Sequence, residues 1–477
     1  MLQIAAITAA VLLFITSIAA LWRKNCNSVQ INKLHGAQVP KGNWSLPWIG
    51  ESLTFYNQGP YQFYSQHIAR YGRTFRTHLM GNPTIVMSTP EAAKFLLTTQ
   101  QKSFLVFMPP SVSRLMGFRS TYKQEAMAAK MNKTIHESLH FELVRNKVAK
   151  VDRIARWVLS SWEKQPCVVT YEETKKFAFH VALDFIAGMA PSPETMKMMD
   201  DYSYIVKAME TFMQFNIPGT SYHKALEKRQ KVLESSLHIV KKRRLEQSKE
   251  KCPLDLLMEL EDDNGDKISD DLLQVQLFQF MFGAFHSTSV LFVWILKFLG
   301  ENQLILQQVK VAEQDTLRIG KTSPEDPLSW TDIVNMPLTS RVIQETLRIA
   351  NIAPFMTRQA TEDINYNGIW IPKGWCVQLG LHYLHLSPEY HKDPLKFDPS
   401  RFQAPEKPVT FLPFGSGVTM CPGRELAKME ALVFLHYLVT TYSWENIGSE
   451  KGIKYFPTSS LKGGLPIKIS KLSEYVI

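Results

Sequence analysis

From Leu272 to Leu296 the chain carries no formal charge. Ser269 ahead of Asp270 and Asp271 predicts a helix start, with a capping hydroxyl and an acidic first turn. Nothing breaks the run until about Gly300, so the helix is ~45 Å long at about 1.5 Å per residue. Two structures accept such an element: a membrane span or the buried central helix of a large helical domain. Gln274, Gln276, Gln279, His286, Ser287, Thr288 and Ser289 are a heavy polar load for lipid and favour the buried helix. The polar cluster at 286–289 then needs a reason to be inside.

A second apolar stretch, Ile4 to Leu21, ends in Trp22-Arg23-Lys24. Its length suits a single bilayer crossing, and the trailing cations favour a cytosolic C-terminal side. A cleaved signal peptide is the alternative, but the basic residues follow the apolar run, where a signal peptide carries them before it. The expected division is an anchor over 1–24, a basic, Pro/Gly-containing tether over 25–50 and one catalytic domain over 51–477. Five scattered cysteines, Cys26, Cys167, Cys252, Cys376 and Cys421, form no CxxC pair, which excludes a secreted disulfide scaffold. The net charge of +10 admits an anionic partner, but no nucleic-acid motif accompanies it.

Helical periodicity dominates the remainder. Residues 60 to 71 read as helix, and Thr74–Leu79 and Pro83–Met87 as strands around Gly81-Asn82. Thr339–Asn351 reads as helix, Asp363–Trp375 as a hairpin turning at Asn367-Gly368, and Gly423–Thr441 as a last long helix. The expectation is a mainly α fold with small β-sheets.

Phe411-Leu412-Pro413-Phe414-Gly415-Ser416-Gly417-Val418-Thr419-Met420-Cys421-Pro422-Gly423 leads into that last helix. Glycines permit a tight fold and close approach to a flat cofactor. Loop N–H groups and a helix N-terminus stabilise a negative sulfur. On chemistry alone, Cys421 is either a thiolate ligand or a small buried thiol in a Gly-rich turn.

The loop resembles the haem signature of the cytochrome P-450 family, Phe-x-x-Gly-x-Arg-x-Cys-x-Gly, at Phe414, Gly417, Cys421 and Gly423. Glu345-Thr346-Leu347-Arg348 resembles the family's Glu-x-x-Arg helix motif, and Arg401 its third partner. The resemblance covers essentially residues 35 to 470. It implies the family's helical fold, a haem b (iron protoporphyrin IX) held by Cys421, and a structural Glu345–Arg348–Arg401 network. It implies monooxygenation with O2 and electrons from an NADPH–cytochrome reductase. It also implies an endoplasmic-reticulum anchor with the catalytic domain facing the cytosol. Thiolate ligation favours O–O cleavage.

Three positions depart from the family pattern. Where the central helix of the family carries an acid and a hydroxyl over the haem, this chain has His286, Ser287 and Thr288. Ser287 keeps a proton-carrying hydroxyl; His286 either relays protons, caps a neighbouring carbonyl, or leaves oxygen activation impaired. Thr419 stands where the signature has the propionate-binding Arg, while Arg358 matches another propionate position. Lys130 is the nearest cation to a Trp-x-x-x-Arg helix motif that is missing.

Leu46-Pro47-Trp48-Ile49-Gly50-Glu51-Ser52-Leu53 and the run from Cys421 to Lys428 resemble the plant branch that oxidises triterpenoids, sterols, diterpenoids and isoprenoid hormones. Candidate pocket residues for an apolar substrate are Phe104, Phe107, Phe282, Phe285, Ala353 and Phe355; each is equally readable as core. A reductase-independent haem-thiolate isomerase or lyase, and a haem-poor binding protein, are the alternatives.

Overall fold

The computed structural model describes residues 16–17, 20, 38–43, 50–117, 122–211, 214–246, 250–262, 264–321, 323, 326–404, 409–448 and 451–472. The expected anchor therefore lies outside the described residues except at 16, 17 and 20, and the expected tether except at 38–43 and 50. The chain divides into two compact units. The first takes 1–109, 353–394 and 407–419; the second takes 110–352, 395–406 and 420–477.

The first unit is built on a five-stranded sheet in the order Thr74–Leu79, Asn82–Met87, Cys376–Leu379, Met356–Ala360, Phe104–Val106. All pairings are antiparallel except Thr84–Met87 with Cys376–Leu379, which is parallel. The first hairpin turns at Met80-Gly81, one residue earlier than Gly81-Asn82, and both turn residues have positive φ (52° and 79°). A two-residue turn of that hand matches the twist of the strands. Asn82 opens the next strand instead, with its side-chain amide donating to the Met80 carbonyl at 2.9 Å. The second hairpin, Ile364–Tyr366 with Ile369–Ile371, turns at Asn367-Gly368 as expected. Ile85, Met87, Leu96, Ile371, Val377, Leu379 and Leu384 form the core against one face of the sheet.

The second unit is mainly helical. Its longest element is Asp270–Glu301, and Ser269 caps it by accepting from the Leu272 amide. Among the described residues this is the one helix long and apolar enough to cross a membrane, and it is mostly buried in protein. Helices Thr170–Ala187, Ser221–Leu245, Pro337–Ala350 and Arg424–Thr441 pack along it. Where two of them meet the central helix, Phe177, Phe292 and Phe434 form a ring cluster with centroids 4.7–5.4 Å apart. Burying each such ring contributes about 1.5–3 kcal/mol. A three-stranded antiparallel sheet, Val168–Val169, Pro466–Lys471 and Tyr442–Asn446, closes the C-terminal side. Beside it in sequence lies the short pair Ile453–Lys454 and Ser460–Leu461.

Candidate functional site

Cys421 and the helix behind it belong to the second unit. Gly423 caps the helix Arg424–Thr441, its carbonyl accepting from the Ala427 amide at 2.9 Å. The sequence suggested that all three loop glycines relax the backbone. Gly415 and Gly417 do, at φ 72° and 69°, but Gly423 has an ordinary φ of −80°. Gly423 acts otherwise: its N–H is directed at the Cys421 sulfur, and a Cβ there would lie 3.9 Å from Sγ. Cys421 remains accessible. The chain around it desolvates the thiol and pushes its pKa up, while the Gly423 N–H and the Arg424 charge pull it back. A cation at the sulfur would displace the proton outright.

Sequence reasoning missed a second support of this turn. His136, on the helix Tyr122–Ser138, donates a ring N–H to the Met420 carbonyl; burial and Arg424 hold its pKa below the usual imidazole value. No spacing rule links positions 136 and 420, so the contact is visible only in three dimensions.

The second unit also holds the charged network. Arg348 donates to both oxygens of Glu345, at 2.7 and 2.8 Å, and neither side chain has any solvent exposure. Arg401 adds a third bond at 3.2 Å, and the Asp398 backbone N–H a fourth at 2.9 Å. Asp398 in turn caps the turn that carries Arg401, accepting from the Ser400 amide and hydroxyl. Glu345, Arg348 and Arg401 are thus brought together as one bidentate cluster. Replacing one partner would strand the others' charge in the interior, which is why such a cluster specifies geometry more than it stabilises.

In the first unit, Arg358 is buried, and its guanidinium donates to the Thr419 hydroxyl at 2.9 Å and the Thr357 carbonyl at 3.2 Å. Both partners are neutral, and burial alone lowers its pKa. Thr419 therefore orients the arginine in the position where the signature would carry a second one. The start of the same loop is held by the buried His385, whose Nε2 accepts from the Leu412 amide at 2.9 Å. Phe414 is half-buried and Gly417 exposed, opening the short turn Gly417–Thr419. Lys130 is exposed, and its charge helps to lower the pKa of the exposed Asp262, after the amides of Asn264 and Asp266.

On the central helix His286 and Ser287, which depart from the pattern, and Thr288, which keeps it, are placed differently. Ser287 is half-buried and donates to the Gly283 carbonyl at 2.8 Å. Thr288 is buried. His286 is buried too, with Nδ1 2.9 Å from the Tyr171 hydroxyl and Nε2 3.1 Å from the Thr458 hydroxyl. Burial, helped by the Lys175 charge, pushes its pKa down to about 4, so the ring is neutral at pH 7.

Of the candidate pocket residues, Phe285 is core, wedged between Phe179 and Tyr202 at 5.7 and 5.5 Å. Phe104 is core of the first unit, edge-on to Phe95. Phe282, Phe107 and Phe355 are half-buried and Ala353 is exposed. Helical period placed Phe285 on the central helix correctly but could not say which neighbour its ring meets.

These residues fit an iron porphyrin on two observations. In the second unit the sulfur of Cys421 has the Gly423 N–H and the Arg424 charge beside it, as a thiolate needs; in the first unit Arg358 is a buried cation whose partners among the described residues are neutral, as suits a carboxylate substituent.

Residues 40–470 match the sequence model of the cytochrome P450 family. Curated relatives include abscisic acid 8'-hydroxylases 1 and 4 of Arabidopsis thaliana, 38% and 37% identical over 91% and 90% of this chain and 92% of each relative. Abscisic acid 8'-hydroxylase 2 of Oryza sativa subsp. indica is 35% identical over 98% of this chain and 94% of its own. Among solved structures, the retinoic acid-bound cyanobacterial CYP120A1 superposes with a TM-score of 0.81 at 25% identity, covering 91% of this chain and 100% of its own.

Glu345→Gln is expected to lower unfolding stability by about 3–5 kcal/mol, because Arg348 keeps its charge without an anion. A urea transition with an unchanged midpoint would contradict the network's role. Arg358→Ala is expected to weaken haem retention roughly tenfold, the worth of about one charge-assisted hydrogen bond. Gel-filtered protein should show the lower haem-to-protein ratio, and Arg358→Lys should recover part of it.

Proposed function

This chain belongs to the cytochrome P450 family, and on that footing we propose that it hydroxylates an isoprenoid-derived substrate with Cys421 as the thiolate ligand of its haem. It is a haem-binding monooxygenase by family, and its electrons come from a redox partner reductase. The observation that carries the ligand assignment is the Cys421 turn, with the Gly423 N–H on sulfur and His136 and Arg424 around it.

When bound, the thiolate-ligated haem supplies the activation of dioxygen that puts one oxygen atom into the substrate. The chain's own residues do the rest. The Gly423 N–H, the Arg424 charge and the N-terminus of the helix Arg424–Thr441 favour negative sulfur. Arg358, oriented by Thr419, would hold a porphyrin carboxylate and neutralise its charge. Ser287 donates its proton to Gly283, and its oxygen keeps lone pairs to accept another.

The relatives argue for abscisic acid or a molecule like it as substrate, with hydroxylation as the outcome. The triterpenoid, sterol or diterpenoid class rests on the likeness of the 46–53, 108–112, 124–126 and 421–428 segments and is the narrower proposal. Electrons would come from an NADPH–cytochrome reductase, toward which the net charge of +10 supplies attraction. Residues 1–24 would anchor the chain in the endoplasmic reticulum membrane through the 25–50 tether, with 51–477 facing the cytosol. The His286-Ser287 pair supports a second reading, a reductase-independent isomerase or lyase.

Full-length protein in yeast microsomes, assayed with and without reductase and NADPH, separates these readings. The expected product gains one oxygen atom, requires both additions, and forms from abscisic acid faster than from a sterol or diterpenoid panel. An isomerised product of unchanged mass, formed without NADPH, would instead establish the second reading.

A further inference from the structure

His286 stands where the resemblance leads one to look for a proton relay, but its geometry is that of a pin. A neutral imidazole has one donor and one acceptor nitrogen. Both are used: Nδ1 on the Tyr171 hydroxyl at 2.9 Å and Nε2 on the Thr458 hydroxyl at 3.1 Å. Tyr171 begins the helix Thr170–Ala187, and Thr458 lies in the turn between the strands Ile453–Lys454 and Ser460–Leu461. One side chain of the central helix therefore ties together a second helix and a C-terminal turn.

The neighbouring bonds serve the same turn. The Ser459 amide donates to the Ile352 carbonyl at 3.0 Å, and its hydroxyl to the Asn351 carbonyl at 2.8 Å. The Ser459 carbonyl accepts from Trp294 Nε1 at 2.8 Å, and Lys454 reaches Glu210 at 2.5 Å. Trp294 is on the same helix as His286, eight residues on, so the turn is held at two levels of one element. A proton passed through His286 would have to enter and leave by the Tyr171 and Thr458 hydroxyls, the two groups its nitrogens hold. Ser287, next in the chain, is half-buried and bonded only within its own helix.

We infer that His286 is a positioning residue that fixes the Thr458 turn against the central helix, and that proton delivery in this enzyme does not pass through residue 286. The second half of this inference rests on the monooxygenase reading; the first does not.

Two measurements on the full-length haem protein test it. Thr458→Val and Tyr171→Phe each remove one bond to His286, Thr458→Ser restores the first, and Ser287→Ala removes the hydroxyl. Amide hydrogen exchange over 455–461 should rise about tenfold in Thr458→Val and Tyr171→Phe, return in Thr458→Ser, and stay at the wild-type rate in Ser287→Ala. Product formed per NADPH should fall several-fold in Ser287→Ala and hold within about 1.5-fold in Thr458→Val. Unchanged exchange in both pin variants overturns the positioning role. Loss of coupling in Thr458→Val equal to that in Ser287→Ala makes His286 a relay and overturns the second half. A wild-type protein that consumes no NADPH defeats the monooxygenase reading and with it the second half, while exchange still decides the first.

Discussion

The buried carboxylate of Glu345 ties the helix Pro337–Ala350 to the turn at Asp398–Arg401. It takes two bonds from Arg348, one from Arg401 and one from the Asp398 amide, in an interior with no solvent to share the charge. A buried carboxylate is tolerable only when its lone pairs are filled, so each donor must be delivered to its place. Delivering Arg401 requires the capped turn at Asp398–Arg401, and delivering Arg348 requires the helix Pro337–Ala350. That helix ends at Asn351, whose positive φ (43°) turns the chain and leaves its carbonyl for Ser459. One electrostatic demand thus positions a helix terminus, a turn and, through Ser459, the segment that His286 also holds.

Elsewhere the same physics is used in opposite ways. Arg358 is buried with neutral partners among the described residues, an arrangement whose desolvation an anionic ligand group would offset. His286 is buried with its charge removed, which turns a titratable side chain into a plain donor and acceptor. Cys421 is raised by burial but has an amide and a cation beside it. The three groups differ in which charge state the fold tolerates, and that difference underlies the roles proposed for them as ligand, porphyrin contact and pin.

Much of this was legible in the sequence where the signal is local. Ser269, the uncharged run after it, the Asn367-Gly368 turn and the i,i+3 spacing of Glu345 and Arg348 each follow from backbone geometry over a few residues. The Cys421 loop was legible as well, because glycine and helix-terminus rules act within it. Contacts between distant segments were not. Nothing local pairs Thr84–Met87 in parallel with Cys376–Leu379, or puts His136 under Met420. Helical period assigns a residue to a face, but it cannot tell a pocket from a packed ring, which is why Phe285 read equally as pocket or core and its packing between Phe179 and Tyr202 is seen only in three dimensions. His286 was read against a family position, and its direction depends on Tyr171 and Thr458, which lie far away in the chain.

The central claim is that Cys421 holds the haem iron as a thiolate. Its most direct test is the carbon monoxide difference spectrum of the reduced, full-length protein beside Cys421→Ser with equal haem content. The account predicts the red-shifted thiolate band in the unaltered chain and its loss in the variant. A variant that keeps the band unchanged would place the ligand at another residue and contradict the account.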